Sequence, residues 1–126
     1  MTQGIGWSVS AWIDGGPTMQ ATGVVEVDAY EKISLVVNAG KTLMVTVAPG
    51  TWATLSLLVI RPSITDGSVK YSFKTGGPQV ALNATHSLFG DGAVSLLGSG
   101  NAELEFTNGG TADVTIDILL GRDATP

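Results

Sequence analysis

Apolar and polar residues alternate along most of this chain, and turn residues separate the alternating stretches. The segment "ISLVVNAGKTLMVTV" has apolar residues at every second position on both sides of an Asn-Ala-Gly turn. Successive side chains of a β-strand point to opposite faces, so this alternation predicts half-buried strands. We therefore expect a hairpin here, with strands that contain Ile33, Leu35 and Val37, and then Leu43, Val45 and Val47.

The same pattern recurs at both ends of the chain. Near the start, Trp7 to Ile13 places apolar residues on one face, "DGGP" turns the chain, and a second extended stretch runs from Met19 to Val27. Near the end, "LEFTNGGTADVTIDILL" predicts a closing hairpin. Between them, "TWATLSLLVI" becomes apolar on both faces, which is typical of a central strand.

Eight to nine short strands with regularly spaced turns, and no long helical pattern, predict an all-β fold. We expect an antiparallel β-sandwich, jelly-roll-like, as one domain over residues 1–126. It would carry a short N-terminal arm and an exposed C-terminal tail, "GRDATP". The apolar last strand would be central in its sheet, and "HSLFGDGAVSLLGSGN" would form a long irregular loop.

Charge narrows the classes of function. The net charge is −5, and the six basic residues are scattered singly, so we expect no nucleic-acid partner. Only 13% of residues are charged, against about 25% in average soluble domains. Strand edges with so little charge are poorly protected against pairing, which favours burial in an assembly over a merely uncharged, turn-rich domain.

Residues that carry chemistry are scarce. His86 is the single histidine and there is no cysteine, so we expect no metal site, no cofactor and no enzyme activity. Paired carboxylates such as Glu103 and Glu105 are typical of the solvated face of a strand. The longest aliphatic run is "LLVI", so we expect no membrane span. Exposed Trp12 and Trp52 lining a groove would instead favour a carbohydrate-binding module.

The C-terminal third resembles a known family. "HSLFGDGAVSLLGSGNAELEFTNGG" followed by "ADVTIDILLGRDATP" is similar to the small head-decoration, or cement, proteins of tailed bacteriophages. The resemblance implies a structural virion protein made in the host cytoplasm. It would bind the major capsid protein on the capsid surface, tie neighbouring capsid subunits together, and act as a dimer or trimer. The alternative is a non-catalytic binding module, carbohydrate-binding or associated with a tail fibre.

On this interpretation three elements would contact the capsid or another copy of the chain. The arm and tail are expected to reach outward, and the glycine-rich loop offers apolar side chains on an adaptable backbone. The opposing interpretation is that the ends are frayed and the loop caps the sandwich. The predicted interface residues are Ile5 and Trp7 in the arm, Leu88, Phe89, Leu96 and Leu97 in the loop, and Arg122 and Asp123 in the tail.

Overall fold

Ten strands and one short helix make up the computed structural model, which describes residues 3–74 and 77–123. The strands of the first half are β1 (Gln3–Trp12), β2 (Thr18–Val27), β3 (Ala29–Val37), β4 (Thr42–Thr51) and β5 (Leu55–Pro62). Those of the second half are β6 (Val69–Ser72), β7 (Val80–Ala81), β8 (His86–Phe89), β9 (Asn101–Asn108) and β10 (Val114–Arg122), with helix α1 (Asp91–Val94) after β8.

Eight of these strands form two four-stranded antiparallel sheets. One sheet has the order β3-β10-β5-β8 and the other the order β4-β9-β6-β7. An eight-stranded, two-sheet sandwich in which successive strands alternate between the sheets, apart from the β6-β7 hairpin, is a jelly roll. The predicted fold class is therefore confirmed.

Both hairpins predicted within the sandwich are wrong, although their strands and turns are present. β3 and β4 lie in opposite sheets, and so do β9 and β10. Alternation does not distinguish a hairpin from a corner that joins strands in opposite sheets. In both arrangements the inward side chains of the two strands reach the same core. The two corners bind each other: the amide of Gly40 donates to the carbonyl of Asn108 at 2.8 Å, and the amide of Asn108 donates to the carbonyl of Lys41 at 2.9 Å.

The core lies between the sheets and is filled by alternate residues of β9 and β10. Leu104, Phe106, Ile116 and Ile118 are fully buried there. β5 and β10 are both internal strands of their sheet, as the sequence predicted. Ser72 is also fully buried, and its hydroxyl is satisfied there by donating to the carbonyl of Lys74 at 2.9 Å.

The stretch predicted as a long irregular loop is more ordered than expected. It contains β8, helix α1 and a 3-10 turn at Ser95–Leu97. Gly90 follows β8 with φ of +94°, a conformation that favours glycine. Val94 is fully buried and anchors the short helix to the core.

β1 and β2 stand apart from the sandwich. They pair antiparallel along all ten residues of each strand, and among the described residues they form a sheet of their own. The turn between them closes where "DGGP" predicted it, with the amide of Ile13 donating to the carbonyl of Pro17 at 3.1 Å. The expected short arm is therefore a long hairpin, which we call the arm.

Candidate interaction surface

One face of the arm is apolar along its whole length. Residues opposite each other in an antiparallel pair share a face, and here the pairs include Ile5 with Val25 and Ala11 with Met19. The other face carries mainly hydroxyl and amide side chains, with Trp12 at its end. The apolar stripe, as we call the first face, consists of Ile5, Trp7, Val9, Ala11, Met19, Ala21 and Val25.

The inner half of the stripe packs against the sandwich. The Trp7 ring stacks on the Phe89 ring with centroids 4.6 Å apart and planes 6° apart. Gly23 lies opposite Trp7, and a Cβ atom there would come within 2.6 Å of the indole. The absence of a side chain at Gly23 therefore leaves room for Trp7 within the arm.

A second contact joins the arm to the last strand. A Cβ atom on Gly121 would lie 2.7 Å from Val27 and 3.0 Å from the end of the Ile5 side chain. Leu57 is paired with both Gly121 and Phe89 and is fully buried, although it lies outside the core between the sheets. The base of the arm therefore covers the outer face of the β3-β10-β5-β8 sheet.

The outer half of the arm is exposed. Trp12, Ile13 and Met19 have exposed fractions of 67%, 65% and 76%. Asp14 is the single charged residue between Gln3 and Val25. Large apolar side chains with so few charges around them are typical of a surface that a partner covers.

The outer sheet face continues past the arm base as a partly apolar surface. Val59 and Leu119 are paired with each other there and are half-buried. Lys32 lies beside Leu119, and Arg61 follows two residues after Val59. These four residues border a shallow hollow of about 270 Å³. We call them, Lys32, Val59, Arg61 and Leu119, the acceptor strip.

An ion pair borders the acceptor strip. Arg61 donates to Oδ2 of Asp117 at 2.9 Å, and the hydroxyl of Ser34 donates to Oδ1 of Asp117 at 2.8 Å. The hydrogen bond from Arg61, and then that from Ser34, hold the pKa of Asp117 below its ordinary value. Arg61 remains largely exposed while it makes this contact, so it can still face another negative group.

An apolar cavity of about 370 Å³ lies where β5, β6 and β8 meet the 3-10 turn. The Tyr71 hydroxyl is hydrogen-bonded to Nδ1 of His86 at 2.7 Å in its wall. Burial raises the pKa of Tyr71 to about 12, so the phenol stays protonated at neutral pH. Leu96 lies at the rim and is 76% exposed.

The eight predicted interface residues fall into three groups. Ile5, Trp7 and Phe89 meet at the arm base, where they contact the protein's own surfaces. Leu88, Leu96 and Leu97 line the apolar cavity, and Leu88 and Leu97 also pack against the core. Arg122 and Asp123 follow Gly121 at the end of β10. For all eight, a contact with a capsid or another copy stays a prediction.

The predicted boundary of the C-terminal tail is wrong. Arg122 is the last residue of β10, pairs with both Ala29 and Leu55, and is half-buried. The amide of Asp123 donates to the carbonyl of Thr54 at 2.9 Å. The rest of the predicted tail, residues 124–126, lies outside the described residues.

Sequence reasoning missed the outer arm and the acceptor strip. The alternating pattern assigned Ile13 and Met19 to strands. The pattern is the same for a strand whose apolar face is covered and for one that projects into solvent. The available signal was the near absence of charge before Glu26. Trp52 is fully buried and Trp12 lies at the end of β1, so the two do not line a common groove.

Comparisons with protein families, with characterised proteins and with solved structures find no match to this chain. Among residues 3–74 and 77–123, no three histidine, cysteine, aspartate or glutamate side chains are grouped so that they could hold a metal ion. The same residues contain no helix with the length and hydropathy of a membrane span. The class that the fold defines is an all-β jelly-roll sandwich with a projecting hairpin arm.

Proposed function

We propose that this chain is a structural virion protein that decorates the outside of an assembled phage capsid and cements neighbouring capsid subunits. The single observation that carries the proposal is the arm, whose apolar stripe is covered at its base and uncovered beyond it. The family resemblance of the C-terminal third supplies the capsid as the setting. The arm supplies the means of linking one subunit to the next.

The exposed outer arm favours a permanent partner on energetic grounds. A two-stranded hairpin alone is at best marginally stable in water, because it has no third strand or packed layer to support it. Burying a large apolar side chain such as Ile13 or Met19 contributes about 1.5–3 kcal/mol. A neighbouring subunit that covers these side chains would therefore stabilise the arm and be held by it.

The sandwich suits a role as a rigid platform for the arm. β10 has strands on both sides, and the buried side chains between the sheets form one connected cluster. The arm is fixed to this body by Trp7, Ile5 and Val27. An arm anchored at its base can tie one subunit to the next once a neighbour covers its outer half. The exposed Leu96 and the cavity beside it offer a separate surface for the capsid itself.

Co-sedimentation with undecorated, expanded phage heads from the protein's source tests the proposal. The matched variants are Ile13→Ser with Met19→Ser in the arm, and Val36→Ser as a control on an exposed apolar residue of β3. We expect saturable binding at a fixed ratio for the wild type and the control. The arm variant should bind at least about tenfold more weakly, because linked copies gain affinity from each other.

Failure of the wild type to sediment with heads would reject the capsid as the partner. Equal binding by the arm variant would reject the arm as the linking element. The carbohydrate-binding alternative has no observation of similar weight, since Trp52 is buried and Trp12 stands on the projecting arm.

A further inference from the structure

We propose that the outer half of the apolar stripe docks on the acceptor strip of a second copy of this chain, so that copies are linked by exchanged arms. The inference deepens the proposed function and rests on it for the role of the arm as a linking element. It names the partner that the arm contacts, which is another copy and not the capsid. The docking residues would be Val9, Ala11, Met19 and Ala21 of the stripe, together with Ile13, which follows the end of β1.

Continuity of the sheet face supports the acceptor strip as the docking surface. The base of the arm already packs on the outer face around Leu57 and Gly121. Val59 lies two residues after Leu57, and Leu119 lies two residues before Gly121, so both share that face. The strip is therefore the next section of a surface that one half of the stripe already binds.

The reach of the arm requires a second molecule. Trp7 contacts its own sandwich, while Trp12, at the end of β1, is largely exposed. The five residues from Ser8 to Trp12 extend the strand about 17 Å beyond the Trp7 contact, at about 3.3 Å per residue. Ile5 lies against Gly121 of β10, and Trp7 lies against Phe89 of the edge strand β8, so the arm crosses the sheet toward that edge. Its outer half continues past β8 and away from the strip on β3, β10 and β5, so the strip of another copy is the one that it can cover.

Charges on the two surfaces are complementary. Lys32 and Arg61 flank the apolar centre of the acceptor strip. The arm carries one charge over its outer half, the carboxylate of Asp14 in the turn. Asp117 lines the same hollow and is paired with Arg61, so the two cations and one carboxylate leave one net positive charge there. The carboxylate of Asp14 would gain Coulomb energy beside it, and the apolar surroundings lessen the screening by salt. The arm and the acceptor strip therefore match, because apolar side chains meet at the centre and opposite charges meet at the margin.

Symmetry allows both docking events at once. If the arm of one copy lies on the strip of another across a two-fold axis, the reverse contact forms by the same operation. In such a dimer each copy buries its exposed outer arm and its acceptor strip at the same time. Copies that sit on different capsid subunits would become tied to one another without any new contact to the capsid.

Engineered disulfides test the arrangement directly, because the chain contains no cysteine of its own. A chain with Met19→Cys is mixed with a length-tagged chain with Val59→Cys, and the mixture is oxidised without any capsid present. A bond forms only when the two Cα atoms come within about 7 Å. The control replaces Val59→Cys with Met44→Cys, an exposed residue on the outer face of the other sheet.

We expect a covalent dimer of unequal chains for the Met19 and Val59 pair, and at least tenfold less of it for the Met19 and Met44 pair. Sedimentation equilibrium of the wild type should give a small multiple of the chain mass, reduced to one chain by Ile13→Ser with Met19→Ser. A monomeric wild type, or bonding chiefly between two Met19→Cys chains, would overturn the inference.

These outcomes are separable from those of the proposed function. A monomer that still saturates phage heads would reject arm exchange and leave the capsid role standing. An arm-exchanged oligomer that does not bind phage heads would support a second copy as the partner of the arm and would reject the capsid as the setting.

Discussion

The indole of Trp7 lies parallel to the phenyl ring of Phe89, with ring centroids 4.6 Å apart. This contact joins the first strand of the chain to β8, an edge strand of the β3-β10-β5-β8 sheet. It covers the outer face of that sheet and fixes where the arm leaves the body. Everything proposed for the arm depends on this attachment.

Trp7→Ala should lower the free energy of unfolding by about 2 kcal/mol. Truncating a fully buried tryptophan to alanine costs about 3–5 kcal/mol, and Trp7 is only half-buried. Trp12→Ala, in the exposed part of the same strand, should change it by less than about 0.5 kcal/mol. Urea unfolding compares the two changes in the background of the arm variant, Ile13→Ser with Met19→Ser, which should remove any contribution from linked copies. Equal effects at the two positions would show that Trp7 does not anchor the arm.

Gly121→Ala should destabilise the fold by about 1–3 kcal/mol, because the added methyl group would meet Val27 and Ile5 at overpacked distances. Gly6→Ala is the matched control in β1, where a Cβ atom would have no neighbour within 4 Å. Thermal unfolding followed by circular dichroism measures both variants. An unchanged midpoint for Gly121→Ala would mean that the arm base is held more loosely than its contacts indicate.

The sequence predicted strands well and strand partners poorly. Alternation located β3, β4, β9 and β10, and Asn38 to Gly40 does turn the chain. The inward residues are the same whether two strands pair or face each other across a core, so alternation alone left the partner undetermined. What separates the two cases here is a long-range contact, the hydrogen bonds between the Gly40 turn and Asn108.

The sequence placed the predicted interface residues of the arm at Ile5 and Trp7. Both lie at the base of the arm, and the exposed residues are Ile13 and Met19 further along. The acceptor strip joins Lys32, Val59 and Leu119 from three strands. No local pattern reveals such a set, because it depends on the order of strands in the sheet.

Asn108→Ala should lower the free energy of unfolding by about 2–3 kcal/mol, since it leaves buried polar groups without partners. The side-chain amide of Asn108 donates to the carbonyls of Val37 at 3.0 Å and Ala112 at 2.8 Å, and its oxygen accepts from the amide of Gly110. Asn83→Ala, at an exposed position, should be nearly neutral. Chemical denaturation distinguishes the two, and similar small losses would contradict a structural role for Asn108.

Asp117→Asn should reduce stability at pH 7 and lose this effect in acid. The pKa of Asp117 is lowered in the folded state, chiefly by Arg61, so the carboxylate stabilises the fold above its ordinary pKa of 3.8. That contribution declines as the pH falls below 3.8 and disappears below the folded-state pKa. Melting temperatures measured from pH 7 to pH 2 should therefore converge for the variant and the wild type. A constant difference across this range would show that ionisation of Asp117 is not involved.

The most direct test of the cement role is the temperature at which expanded phage heads disassemble, followed by light scattering. Heads saturated with the wild-type protein should disassemble at a higher temperature than undecorated heads, because linked copies hold neighbouring capsid subunits together. Heads incubated with Ile13→Ser and Met19→Ser protein should behave as undecorated heads do. Identical disassembly temperatures with and without bound wild-type protein would contradict the account.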